Sequence, residues 1–197
     1  MSVLGPHAGR ELHWEKTSKL YGEFEPRAGE AVLGTLMFAR AKTPDAPSAV
    51  LTLGAAVWHL TSRTEPGGPA ILDVTSVAGE AIAHFESTMT KGKGFPRHIV
   101  LTVEDGEIAR KAVRAKGGTW TFVDGATYHW RKPTKGSKDM SLQDEAKAEV
   151  FGVHRAGIFQ GFSDRVMVQS AAAADPHLDL LVGASYFVFF AVNGRND

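Results

Sequence analysis

The chain contains no cysteine, which excludes a disulfide framework, a thiol nucleophile and a thiolate metal site. It has no excess of charge of either sign. Lys and Arg total 22 against 22 Asp and Glu, for a formal net charge of zero, which removes the global electrostatic case for nucleic-acid binding. It also lacks a Gly-x-Ser-x-Gly nucleophile elbow, a phosphate loop of the Gly-x-x-x-x-Gly-Lys-Ser/Thr type, and a Gly-x-Gly-x-x-Gly turn after a strand. No two of the eight histidines stand at the His-Glu-x-x-His spacing that presents two imidazoles on one helical face. No metal and no other cofactor is therefore expected. The N-terminus has neither the basic patch nor the apolar core of a secretory leader, and Ser2 stands where N-myristoylation needs glycine. A cytoplasmic location is expected, with at most a peripheral association with membrane.

Long apolar runs are absent with one exception, Leu180 to Val192, which contains no charge. Such a segment has no wet face and must be buried all round. It is short for a membrane span, which takes about 20 apolar residues. Asp175 is placed to accept hydrogen bonds from unpaired amides, Pro176 presets the first helical φ, and Asn193-Gly194 supplies a left-handed stop. The reading is a buried hydrophobic helix over about 175–193, with Asp179 intruding near its start.

Elsewhere, short runs of β-forming residues alternate with turn chemistry from Leu20 to Gln169, the spacing of an antiparallel meander. Asp124-Gly125 between Trp120-Thr-Phe-Val123 and Ala126-Thr-Tyr-His-Trp130 predicts a two-residue hairpin. One segment departs from this pattern. Ile108, Ala109, Ala112 and Val113 fall on one helical face and Gly117-Gly118 follows them, so a short helix is read near 107–116. No linker divides the chain. The expected organisation is a tail over 1–11 and one domain over 12–197, mainly β. A wholly apolar helix needs apolar surroundings on every side, and an antiparallel β-barrel closed around it supplies them while removing exposed sheet edges.

Charge is unevenly spread. Between Thr88 and Lys138 eleven basic residues face four acidic ones, and the rest of the chain is acidic by the same margin. Arg110, Lys111, Arg114, Arg131 and Lys132 are the candidate ligand-binding residues for an anionic headgroup or another phosphorylated ligand.

The helix Asp175 to Val192 and hairpins such as Trp120 to Trp130 resemble the tubby C-terminal-like superfamily, which includes the tubby, phospholipid-scramblase and LURP-one-related families. The resemblance implies a β-barrel enclosing a hydrophobic helix and, by analogy with tubby domains, phosphoinositide binding through basic surface residues. It implies a binding or scaffold protein rather than an enzyme, with an anionic membrane surface or phosphorylated ligand as partner. A rival reading starts from Arg97 to Gly118, which is similar to the strand–helix opening unit of the glyoxalase and extradiol-dioxygenase superfamily. That resemblance implies a metal-dependent enzyme with His98 as a ligand and Glu149 or His154 as later ones.

Overall fold

The computed structural model describes residues 2–17, 22–39, 48–64, 69–91, 99–104, 107–131, 140–154 and 165–193. Among these residues fourteen strands form one antiparallel sheet: β1 (Glu11–Lys16), β2 (Glu23–Ala28), β3 (Ala31–Val32), β4 (Gly34–Phe38), β5 (Ser48–Leu53), β6 (Ala56–Thr64), β7 (Ala70–Ser76), β8 (Ala81–Lys91), β9 (Ile99–Glu104), β10 (Glu107–Phe122), β11 (Thr127–Arg131), β12 (Met140–Gln143), β13 (Glu149–His154) and β14 (Arg165–Val168). The order β1-β14-β13-β12-β11-β10-β8-β7-β6-β5-β4-β2 closes where β1 pairs with β2. The result is a twelve-strand barrel. β3 is appended to β2, and β9 to β10.

Alternation puts one residue in two inside the barrel. In β5, Ala49, Leu51 and Leu53 are buried and their neighbours are half-buried. In β7, Ala70, Leu72 and Val74 are buried likewise. Trp14, Phe24, Leu36, Leu60, Phe85, Trp120, Trp130, Leu142, Phe151 and Val166 continue this inner lining around the wall.

The space they enclose is filled by α1 (Leu178–Asn193). From Leu180 to Val188 every helical residue is buried, on all faces. Tyr186 packs on Trp14 and Phe24 at ring separations of 5.5 and 4.3 Å, and Phe187 stacks on Phe38 at 5.3 Å. Ser185, the polar exception, donates its hydroxyl to the Val182 carbonyl at 2.6 Å, so no donor is stranded. The expected closed barrel around a C-terminal hydrophobic helix is what the structure shows. The helix begins at Leu178 rather than Asp175. Asp175 Oδ1 accepts from the His177 amide at 2.8 Å, and residues 175–177 form a turn that delivers the chain into the barrel.

The helix read near 107–116 is a correction, because those residues belong to β10. Glu107 to Ala112 pair with Ile99 to Glu104, with Glu104 opposite Glu107. The sequence between that pair reads Asp-Gly, as it does at 124–125, where the Phe122 amide donates to the Ala126 carbonyl and the loop is the three residues 123–125 rather than the two expected. Pairing across this hairpin overrides the helical periodicity of Ile108, Ala109, Ala112 and Val113. Gly117-Gly118 is not a helix stop either. β10 shifts register against β8 between Ala115 and Gly117, and a side chain at Gly118 would meet the Phe85 ring and the Glu86 carbonyl. The glycines permit close approach at a bulge. The rival strand–helix resemblance therefore loses the unit that carried it.

The segment ahead of β1, read from the sequence as a tail, is docked. Residues Gly5–His7 form a 3-10 turn and Leu4 is fully buried. The Ser2 hydroxyl, the Val3 amide and the Leu4 amide donate to the Asp179 carboxylate at 2.7, 2.8 and 2.9 Å. No helix among the described residues is long and apolar enough to cross a membrane.

Candidate functional site

A barrel already filled by its own helix leaves its outer wall and its two ends for function. The ends differ. At the end where α1 begins, connections are short: Gly54-Ala55, residues 77–80, 123–126 and 144–148. Gly79 and Gly125 adopt φ of 84° and 94°, which a tight turn needs and glycine provides at little steric cost. This end carries exposed Glu30, Glu80, Asp124 and Glu145, and half-buried Asp144, against Arg10 and Lys147.

The entry of α1 is tied to the wall by a polar cluster at the same end. Tyr128 donates its hydroxyl to both Asp175 oxygens at 2.9 and 3.0 Å. His177 Nε2 lies 2.9 Å from Asp124 Oδ2, and the imidazole stacks on Phe122 at 3.8 Å. Burial and the adjacent Asp175 carboxylate raise the Tyr128 hydroxyl well above the usual tyrosine range. The Ala126 amide, with a smaller contribution from His177, holds the Asp124 carboxyl below its ordinary value. These contacts hold the hairpin and the helix start together, so the cluster reads as structural rather than reactive.

On the outer wall, Asp73 joins His84 at 2.8 Å and Arg63 at 3.5 Å. Thr119 meets His129 at 3.2 Å. Glu149 accepts from Ser141 at 2.6 Å and from Gln169 at 2.7 Å. Among the described residues no three His, Asp or Glu side chains gather in a way that could hold a metal ion. Of the residues the rival reading implied as ligands, Glu149 is engaged with Ser141 and Gln169, His154 is exposed, and His98 lies outside the described residues. The sequence expectation that a histidine beside a tryptophan faces away from it fits Trp14 and Trp130, which are buried while His13 and His129 are only partly so.

Of the five candidate binding residues, Arg131 ends β11 and is exposed. Lys132, and the side chains of Arg110, Lys111 and Arg114, lie outside the described residues. Backbone register still locates three of their positions. Arg110 pairs with Leu101 and Lys111 with Val100 in the β9–β10 ribbon, and Arg114 pairs with Thr90 on β8. β10 runs toward the acidic turns and β11 runs away from them, with Gly118 opposite Trp130. Arg131 and backbone positions 110–114 thus belong to adjacent strands on the side away from the acidic end. Position 114 is about 10 Å along β10 from the point opposite Arg131, at about 3.3 Å per residue.

Asp179 was visible in the sequence only as an unwelcome charge in an apolar run. Its role as acceptor for three donors of the N-terminal segment needed the fold, since the partners are more than 170 positions away in sequence.

Comparison with known proteins found no matching family model, no matching curated protein and no matching solved structure.

Proposed function

We propose that this chain is a tubby-like barrel that acts as a non-enzymatic binding or scaffold protein, and that the basic positions of β10 and β11 take an anionic phospholipid headgroup. The observation that carries this reading is the filled barrel. With every helical side chain from Leu180 to Val188 packed against the wall, an internal ligand has no room, and recognition falls to the outside. Charge then chooses the region. Acidic turns crowd one end, which would be repelled by an anionic surface, and Arg131 with the positions of Arg110, Lys111 and Arg114 stands away from them. The architecture supports the resemblance to tubby-like proteins, and the headgroup assignment follows from that resemblance together with this polarity.

Liposome co-sedimentation tests it, comparing neutral phosphatidylcholine vesicles with vesicles that also contain phosphoinositide, across a salt series. Each basic residue near an anionic surface contributes on the order of 1 kcal/mol. Charge reversal at Arg110, Lys111, Arg131 and Lys132 is therefore expected to reduce partitioning by at least about 100-fold, and rising salt should weaken the wild type in parallel. A soluble inositol phosphate that competes would point to the headgroup chemistry, and one that fails would point to the extended surface. Absence of binding at low salt would end the proposal.

A further inference from the structure

Three turns at the end where α1 begins, 77–80, 123–126 and 144–148, are described in full. They are neighbours, because they join β7 to β8, β10 to β11 and β12 to β13, and these six strands are consecutive in the wall. The Val123 amide donates to the Ile82 carbonyl at 3.1 Å and the Thr127 hydroxyl to Glu145 at 2.8 Å, which ties each turn to the next.

Val77 and Val123, at 68 % and 72 % exposure, are the most exposed large apolar side chains among the described residues. Both stand in turns, where a β-branched apolar residue supplies none of the usual turn chemistry. Neither belongs to the core or to the half-buried side chains packed against it. Ile82 lies beside Val123 and in the hairpin that Val77 tips, and it points outward, since Ala83 and Phe85 are the buried residues of that strand. The valines thus extend an aliphatic strip on the outside of the barrel rather than standing singly.

Around this strip the charge has one sign. Glu80, Asp124 and Glu145 are exposed and Asp144 is half-buried, and Lys147 is the single lysine or arginine in the three turns. An aliphatic strip in a field of carboxylates is complementary to a ligand that is apolar and cationic at once. The turns span four strand spacings, about 19 Å, the length of about three and a half turns of helix.

We propose that this end docks a cationic amphipathic helix of a partner protein, its aliphatic face on Val77, Ile82 and Val123 and its lysine or arginine side chains over the carboxylates. The surface stands at the opposite end from the positions assigned to the headgroup and uses none of them, so each reading stands or falls alone.

Fluorescence anisotropy with labelled helical peptides of about 14 residues, about 20 Å long, tests it. One peptide has a leucine face and a lysine face, a second has glutamate in place of lysine, and a third has serine in place of leucine. The first is expected to bind with an affinity that falls as salt rises, and the other two at least about 10-fold more weakly. Val77→Ser combined with Val123→Ser, with the melting transition retained, should lower affinity for the leucine–lysine peptide at least about 10-fold. Glu80→Gln combined with Glu145→Gln should weaken it and flatten its salt dependence. Val32→Ser, at an exposed apolar position on β3, should leave it unchanged. Equal binding of the leucine–glutamate peptide, no loss from the valine pair, or the same loss from Val32→Ser would overturn the proposal. So would self-association in sedimentation velocity that the valine pair abolishes, because the occupant would then be a second copy.

Discussion

Gly183→Leu is expected to lower stability by about 1–3 kcal/mol, seen as a reduced melting temperature with the native circular-dichroism spectrum retained below it. Gly183 sits mid-helix, where glycine ordinarily costs about 1 kcal/mol relative to alanine, so its presence needs a packing reason. The reason is the wall of β5. A Cβ added at Gly183 would lie 2.6 Å from Leu51 Cδ2 and 2.9 Å from Leu53 Cδ1, and both leucines are fully buried. Helix and strand meet where the helix has no side chain. The leucine ends could turn aside to admit one methyl group, but a whole isobutyl group would have to displace neighbours that fill the barrel at crystalline density. An unchanged melting temperature would place Gly183 somewhere other than against β5.

Asp179→Ala is expected to cost about 2–3 kcal/mol, the usual scale for stranding partly buried donors that had bonded a charged acceptor. Three donors lose their partner at once: the Ser2 hydroxyl and the amides of Val3 and Leu4. The consequence is directional. Leu4, fully buried in the native protein, should become accessible, so limited proteolysis should cut within residues 2–10 of the variant at concentrations that leave the wild type intact. Asp179→Asn keeps an acceptor oxygen and should fall between the two. If the variant's N-terminal segment resists proteolysis as well as the wild type's, the carboxylate does not hold it.

The two positions show what the sequence made legible. An uncharged run from Leu180 to Val192 admits few solutions, and burial on all sides together with many short strands leads to a barrel around a helix with no further information. Gly183 could be read as a close-approach point for the same reason. Asp179 could not, because its partners are brought to it by closure of the barrel. The segment 107–116 failed for a related cause. Its apolar spacing suits a helix locally, and only the pairing with residues 99–104 reveals it as a strand. The dipeptide Asp105-Gly106 was the available signal, equal in kind to Asp124-Gly125. The candidate binding residues were chosen by charge, and topology groups Arg131 with the positions of Arg110, Lys111 and Arg114 on one side of the molecule, a relation that composition alone does not contain.

The central claim is that α1 is enclosed by the closed wall, which leaves recognition to the exterior. Native-state hydrogen exchange over residues 178–188 tests it most directly. An enclosed helix exposes its amides only when the barrel opens, so these amides should exchange with the free energy of global unfolding and share its denaturant dependence. Exchange several kcal/mol easier than global unfolding, with little denaturant dependence, would mean that the helix leaves the barrel on its own, and would contradict the filled interior on which the functional reading rests.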